Sequence, residues 1–166
     1  MSKKDWKSLT AGDIMRRDLI VVYDRDTLAD AMALMTANHV TGLPVVNSQE
    51  RCVGLISASD ILNYEQEHAE IAAEANEAVA NYFNPETQKW ESVRVGSFAL
   101  EQFGHVRVDE VMSADVVSVD ATMPLQAVAK KMVSERIHRV LVLNDQQRLL
   151  GIITSMDFVQ LFAELE

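Results

Sequence analysis

The chain has 166 residues, of which 48% are apolar and 24% are charged, a composition typical of a folded globular protein. Its 15 basic and 25 acidic residues give a net charge of −10, which argues against binding to nucleic-acid phosphates or to an anionic membrane surface. The single cysteine, Cys52, excludes an intrachain disulfide and a multi-thiolate zinc site. Since the sequence shows neither a secretory signal nor an apolar run of about 20 residues, we predict a soluble, cytoplasmic protein.

The chain contains an internal repeat. Residues 13–62 align without a gap with residues 110–159, at an offset of 97 positions. Identical pairs occur along the whole alignment and include Met15/Met112, Leu28/Leu125, Gly54/Gly151 and Asp60/Asp157. A copy of about 50 residues buries too little surface to be stable by itself. We therefore predict one globule in which two copies pack their apolar strand faces together about a pseudo-twofold axis.

Each copy predicts the element order β-α-β-β-α. In copy one, a β-branched run at 19–22 predicts a strand, and the helical spacing of Leu28, Ala31, Met32 and Met35 predicts a helix that begins at Thr27. Two apolar runs, 43–46 and 52–56, flank turn-forming residues and predict a hairpin, after which a second helix begins. Copy two repeats the pattern with strands at 116–119, 140–143 and 149–153 and with Pro124 at the start of its first helix.

An insert separates the two copies. Residues 64–83 are rich in Ala and Glu, which predicts that the second helix of copy one continues to Asn84-Pro85, where a proline ends it. Residues 84–106 are too apolar for a flexible linker, and we expect them to pack against their own globule or a second subunit. The predicted organisation is an α+β fold with repeat 1 over 8–62, the insert over 63–106 and repeat 2 over 107–163.

Both copies end in glycine, two apolar residues, a hydroxyl, two further residues and an aspartate. The hydroxyl and the carboxylate are Ser57 and Asp60 in copy one and Thr154 and Asp157 in copy two. One interpretation is helix capping, because a hydroxyl and an acidic residue both stabilise the first turn of a helix. The other is nucleotide binding, because a carboxylate here could accept the hydroxyls of a ribose. The two interpretations are compatible.

A second candidate lies ahead of the middle strand of each copy. In copy two His138 and Arg139 place two donors together in an otherwise acidic chain, which suits a phosphate, although a solvated strand entrance would look the same. Copy one has Thr41 and Gly42 at the matching positions. These residues carry no positive charge, but Gly42 would allow a close approach of the backbone to a ligand.

Together these residues resemble the CBS domain, the regulatory module named after cystathionine β-synthase, and the chain resembles a stand-alone bacterial tandem CBS pair, or Bateman module. The motifs that carry the resemblance are Asp13-Ile14-Met15, Glu110-Val111-Met112, Gly42-Leu43-Pro44-Val45-Val46, Ile137-His138-Arg139-Val140 and the two Gly-x-x-(Ser/Thr)-x-x-Asp endings.

The resemblance implies two clefts between the copies that bind adenosine-containing ligands, with AMP, ADP or ATP expected first. It implies that Asp60 and Asp157 hold ribose hydroxyls and that Ser57 and Thr154 contact the ligand. It assigns phosphate contacts to His138 and Arg139, with Thr41 and Gly42 as their neutral equivalents. We therefore expect unequal sites, and expect repeat 2 to bind phosphate better.

The leading hypothesis is a non-enzymatic sensor that changes conformation or partner interaction when a nucleotide binds. The alternatives are a structural homodimerisation module with empty or degenerate clefts, or a CBS pair that binds S-adenosylmethionine or NADH. An enzyme that uses paired carboxylates has little support, and we expect no catalytic residues and no catalytic cofactor. The four histidines lack ligand spacing, so no metal site is expected. Expected partners are a second copy of the chain and a regulated protein that the sequence does not name.

Overall fold

The computed structural model describes residues 6–68, 79–84, 89–94 and 104–164. Within them each repeat has the order β-α-β-β-α, which confirms the predicted order and the α+β fold. Repeat 1 and the short helix before it comprise α1 (Ala11–Ile14), β1 (Val22–Tyr23), α2 (Leu28–Asn38), β2 (Gly42–Val46), β3 (Cys52–Ser57) and α3 (Ala58–Glu67). The insert contains β4 (Val79–Asn84) and β5 (Lys89–Arg94), and repeat 2 contains β6 (Ser118–Val119), α4 (Leu125–Glu135), β7 (Arg139–Leu143), β8 (Leu149–Thr154) and α5 (Ser155–Ala163).

Each repeat forms a three-stranded sheet, in the order β1-β2-β3 or β6-β7-β8. The first strand of each sheet runs parallel to the second, with Val22 opposite Val45 in repeat 1 and Val119 opposite Val142 in repeat 2. Parallel neighbours require a crossover connection, and α2 and α4 supply it. β7 and β8 are antiparallel, and their pairing places Arg139 opposite Thr154.

The first long helix of repeat 1 begins where the sequence predicts. Thr27 is the N-cap of α2, and its hydroxyl accepts a hydrogen bond from the Asp30 backbone N–H at 3.2 Å. In return Asp30 Oδ2 accepts from the Thr27 N–H at 3.0 Å and from the Thr27 hydroxyl at 2.7 Å. These hydrogen bonds from Thr27 lower the pKa of the Asp30 carboxyl below its ordinary value.

The chain divides into two compact units, each built around one repeat. The described residues of one unit are 20–48, 53–68, 79–84, 89–94 and 104–115; those of the other are 6–19, 49–52 and 116–164. The repeat-1 unit has a core that includes Val22, Leu28, Leu43, Ile56 and Val108, all at most 1% exposed. The core of the repeat-2 unit includes Ala11, Val128, Val140, Val142 and Ile153, also at most 1% exposed. Val108, in the core of the repeat-1 unit, comes from the segment that opens copy two. Ala11, in the core of the repeat-2 unit, comes from the segment that opens copy one.

The opening segments dock by matching backbone hydrogen bonds. In the repeat-2 unit these bonds are Ala11 N to Met123 O at 2.9 Å, Gly12 N to Ala121 O at 2.8 Å and Leu125 N to Leu9 O at 2.8 Å. In the repeat-1 unit they are Val108 N to Asp26 O at 2.8 Å, Asp109 N to Asp24 O at 3.0 Å and Leu28 N to Val106 O at 2.9 Å. The two sets correspond at the 97-residue offset, so the exchange of opening segments follows the internal repeat.

A contact between methionine and glycine accompanies each docked segment. A β-carbon on Gly151 would lie 2.6 Å from Met15 Sδ, and one on Gly54 would lie 2.5 Å from Met112 Sδ. Carbon and sulfur atoms do not approach this closely without a bond, so a side chain at either glycine would displace the methionine. This contact accounts for the recurrence of both residue types in the repeat.

The predicted helix through the insert is wrong at residues 79–84. The second helix of repeat 1 ends at Glu67, and Val79–Asn84 form a strand that pairs antiparallel with Lys89–Arg94. Helix propensity is a weak preference, and the β-branched and aromatic residues of 79–84 gain a full ladder of backbone hydrogen bonds instead. The predicted helix over 69–78, and the packing expected for the apolar side chains of 84–103, lie outside the described residues.

Candidate functional site

In each repeat the last strand runs directly into the second helix, and the predicted hydroxyl–aspartate pair lies at this junction. In repeat 2 Asp157 Oδ2 accepts from the Thr154 backbone N–H and from the Thr154 hydroxyl, both at 2.7 Å. In repeat 1 Asp60 Oδ2 accepts from the Ser57 N–H at 2.7 Å and from the Ser57 hydroxyl at 2.5 Å. The capping interpretation is therefore confirmed, and it uses one carboxylate oxygen of each aspartate.

The second carboxylate oxygen differs between the repeats. Asp157 Oδ1 accepts a hydrogen bond from Arg16 Nε at 2.6 Å, and Asp157 is only 8% exposed. A buried carboxylate is costly unless it is paired, so Arg16 offsets the desolvation of Asp157. Asp60 is less buried, and among the described residues no arginine or lysine pairs with it. Its Oδ1 is the atom that a further hydroxyl could reach.

The start of the middle strand lies beside the same helix start in both repeats. In repeat 2 the His138 carbonyl accepts from the Ser155 N–H at 2.9 Å and from the Ser155 hydroxyl at 3.1 Å. In repeat 1 the Thr41 carbonyl accepts from the Ala58 N–H at 3.0 Å. The structure thus brings His138 to the junction that holds Thr154 and Asp157, and it brings Thr41 to the junction that holds Ser57 and Asp60.

The strands fix the positions of the remaining predicted residues. Arg139 is half-buried and lies opposite Thr154 in the β7–β8 ladder, so both side chains lie on one face of the sheet. Gly42 is buried and opens β2 directly after Thr41. His138, one residue before β7, has an exposed side chain. Each repeat therefore gathers its four predicted residues around one strand-to-helix junction.

Arg16 is the site residue that the sequence reasoning missed. It pairs with Ile152 by two backbone hydrogen bonds of 2.9 and 3.1 Å, which carries its side chain to Asp157. Its counterpart at the 97-residue offset is Ser113, which pairs with Leu55 in the same way at 2.9 Å. The alignment of the two copies contained a signal for Arg16, because an arginine is aligned with a serine directly after the identical Met15/Met112 pair.

Within the described ranges no group of three or more His, Cys, Asp or Glu side chains is arranged to hold a metal ion. In that same part of the chain, no helix has both the length and the apolar character that crossing a membrane requires. Cys52, the first residue of β3, is partly buried.

Solved structures share this fold. The protein CBSX2 in complex with AMP is 22% identical and superimposes with a TM-score of 0.66, covering 95% of this chain and 98% of that one. A CBS-domain pair in complex with 5′-methylthioadenosine and S-adenosyl-L-methionine is 21% identical with a TM-score of 0.63, covering 92% of this chain and 98% of that one. At these identities the likeness establishes the architecture.

Sequence comparison identifies the family. An uncharacterised protein of Methanocaldococcus jannaschii is 30% identical over 151 residues, covering 89% of this chain and 88% of that protein. Several other relatives are longer: the chain spans 23% of an inosine-5′-monophosphate dehydrogenase of the same organism and 63% of a chloroplastic CBS-domain protein of Arabidopsis thaliana. The family model for the CBS domain matches residues 11–67 and again residues 108–164, which is more than half of the chain. The chain is therefore a member of the CBS-domain family and carries the domain twice.

Proposed function

We propose that the chain is a regulatory module that binds adenosine-containing ligands, AMP, ADP or ATP foremost, at the strand-to-helix junctions of its two CBS domains. The observation that carries this proposal is the arrangement of a hydroxyl, an aspartate and the start of the middle strand around one helix N-terminus in each repeat. The AMP complex of a structural neighbour supports the choice of ligand. The expectation that the ligand lies in clefts between the copies stays a prediction.

The chemistry of the junction suits a nucleotide. One aspartate oxygen is fixed by capping, which orients the carboxylate. Oδ1 of Asp60 can then accept a ribose hydroxyl, and Oδ1 of Asp157, which accepts one hydrogen bond from Arg16, can accept a second. The backbone N–H groups of a helix N-terminus favour an anion such as a phosphate. In repeat 2 His138 and Arg139 add donors beside that terminus, so we place the better phosphate site there.

The ligand alternatives differ in charge. At the positions of His138 and Arg139, repeat 1 has Thr41 and Gly42, which supply no positive charge for a phosphate. A ligand without phosphate, such as S-adenosylmethionine, suits repeat 1 better than repeat 2, and a structural neighbour holds this compound. NADH is the remaining adenosine-containing candidate.

The proposed action is regulatory and not catalytic. A ligand shifts the conformation of a protein when it binds two arrangements with different affinity. The readout then passes to a second copy of the chain or to another protein. An enzymatic role gains no support from the aspartates, because each carboxylate is already hydrogen-bonded by its own helix cap.

Homodimerisation is the second candidate function, and α5 carries the observation that favours it. Met156, Val159 and Phe162 are 63%, 59% and 78% exposed and recur every three residues along one side of the helix. Exposed apolar side chains in a row are typical of protein–protein contacts. We propose that a second copy of the chain covers this side of α5. A cytoplasmic location stays a prediction.

Thermal unfolding with AMP, ADP, ATP, NADH and S-adenosylmethionine tests the binding proposal. A ligand at 100 times its dissociation constant stabilises the folded state by about 2.7 kcal/mol. At about 2–4 °C per kcal/mol for a chain of this size, the Tm should rise by about 5–11 °C. No rise with any of the five ligands contradicts the proposal.

Matched variants test which repeat binds phosphate. Asp157→Asn should abolish most of the Tm rise with AMP, whereas Asp60→Asn should retain it. Asp145→Asn, in the exposed β7–β8 turn, is the control for the loss of one negative charge. Equal losses in the Asp60 and Asp157 variants would contradict the proposed ranking of the sites.

A further inference from the structure

We infer that Arg16 makes the repeat-2 site selective for adenosine ligands that carry a phosphate, an inference that rests on the proposed function. Arg16 is a specificity residue of this site because it lies against Asp157, the proposed ribose acceptor. The position equivalent to Arg16 at the repeat-1 site is the uncharged Ser113, so that site does not discriminate in this way.

The ion pair leaves room for a ligand. The bond to Asp157 Oδ1 uses Nε of Arg16, and the guanidinium makes no other hydrogen bond within the described ranges. A carboxylate oxygen accepts two hydrogen bonds, so a ribose hydroxyl can bind Oδ1 while Arg16 stays in place. The Arg16 side chain is 55% exposed, so its two terminal nitrogens can reach a second anion beside the ribose.

The sheet places a second arginine on the same face. Arg16 pairs with Ile152 and Arg139 pairs with Thr154. Directly paired residues project to the same side, and so do residues two apart on one strand. Arg16 and Arg139 therefore flank β8 on the face that presents Thr154 to the helix start. This is the half-exposed face of β8, because the alternate residues Gly151 and Ile153 are buried.

The corresponding positions of repeat 1 are neutral. Ser113 pairs with Leu55 where Arg16 pairs with Ile152, and Gly42 stands where repeat 2 has Arg139. Arg16, His138 and Arg139 of the repeat-2 site thus correspond to Ser113, Thr41 and Gly42 of the repeat-1 site at the 97-residue offset. The backbone geometry is shared while the charge is not, so the charge distinguishes the two sites.

A guanidinium in this position recognises phosphate by charge-assisted hydrogen bonds, which adenosine without phosphate cannot form. Loss of Arg16 should therefore weaken AMP binding by about tenfold. This value is the low end of the effect of a hydrogen bond to a charged group, and we choose it because Arg16 is half-exposed. Binding of adenosine should change by less than about twofold, since the ribose contacts of Asp157 remain.

The experiment measures AMP and adenosine affinities by isothermal titration calorimetry on the full chain, in an Asp60→Asn background that removes the repeat-1 site. Arg16→Ala and Arg16→Gln are compared with Arg17→Ala. Arg17→Ala is the matched control because it removes the same charge one residue away, and within the described residues the Arg17 side chain hydrogen-bonds the Gly12 carbonyl of α1, at 3.1 Å, and not Asp157. A further variant, Ser113→Arg with Asp60 intact and Asp157→Asn, places an arginine at the equivalent position of repeat 1.

The inference holds if both Arg16 variants lose affinity for AMP selectively, Arg17→Ala retains it and Ser113→Arg raises AMP affinity at repeat 1. Equal weakening of AMP and adenosine overturns it, because Arg16 would then only support Asp157. Unchanged or tighter AMP binding in the Arg16 variants also overturns it. If the unmodified chain binds neither AMP nor adenosine, the inference fails, and the thermal unfolding with the five ligands decides whether the proposed function fails with it. The other negative outcomes leave the proposed function standing.

Discussion

Replacing Gly151 by alanine should destabilise the repeat-2 unit through a clash with Met15. The added β-carbon would lie 2.6, 2.7 and 2.8 Å from Sδ, Cγ and Cβ of Met15. Unbonded carbon atoms prefer about 3.5–4.0 Å, so the methionine and its segment must move by roughly 1 Å. Overpacking of this kind costs about 1–3 kcal/mol, and the lower entropy of the unfolded alanine chain offsets about 0.4–1 kcal/mol. We expect a net loss of about 1–2 kcal/mol, or a Tm lower by about 2–8 °C.

A double-mutant cycle measures this effect by urea and thermal unfolding. The four proteins are the unmodified chain, Gly151→Ala, Met15→Ala and the double variant. Met15→Ala removes Sδ and Cγ and so two of the three close contacts. Gly151→Ala should therefore cost less in the Met15→Ala background than in the unmodified chain. If the losses of unfolding free energy in the two single variants add up to the loss in the double variant within about 0.3–0.5 kcal/mol, the two sites are independent and the reasoning is refuted.

Further predictions concern the α2 cap, the core and α5. Thr27→Ala should lower the Tm by about 2–4 °C at pH 7, since a lost N-cap costs about 1 kcal/mol. The hydrogen bonds from Thr27 hold the pKa of Asp30 below its ordinary value of 3.8. The stability that the ionised Asp30 carboxylate contributes is therefore present above pH 3.8 and is lost as the pH falls through the lowered pKa. The difference in Tm between Thr27→Ala and the unmodified chain should accordingly shrink in melts at pH 3. Ile153→Ala should cost about 2–5 kcal/mol in urea unfolding because Ile153 is fully buried. Val133→Ala, at a position of α4 that is 78% exposed, should stay within about 0.5 kcal/mol of the unmodified chain. Phe162→Glu should convert a dimer to a monomer in sedimentation velocity, and an unchanged mass would contradict the assignment of α5 to the contact.

The caps and helix starts could be predicted because their interactions are local. Thr27 and Asp30, or Ser57 and Asp60, are three residues apart, and a helical first turn brings such residues together in any protein. The insert shows the limit of this reasoning. An Ala- and Glu-rich composition predicted helix at 79–84, but pairing with 89–94 decides in favour of a strand, and composition does not report a pairing partner.

Arg16 shows the same limit at the candidate site. The sequence places Asp157 at a helix start, but the partner of Asp157 lies 141 residues away along the chain. No periodicity connects residues at that separation. The contact arises because residues 9–16 dock on the repeat-2 core, and this docking depends on the backbone hydrogen bonds of Leu9, Ala11 and Gly12.

The sequence by itself determined the duplication, the order of the elements, the family and the polar residues at each junction, because repeats, periodicity and capping motifs are written in short or regularly spaced patterns. Only the tertiary structure decided which opening segment completes which core. It also decided that the two matched aspartates differ in charge environment, since Asp157 is paired with Arg16 and the counterpart of Arg16 is Ser113. The physical reason is that burial and ion pairing depend on distances in space, and the chain sets those distances only when it folds.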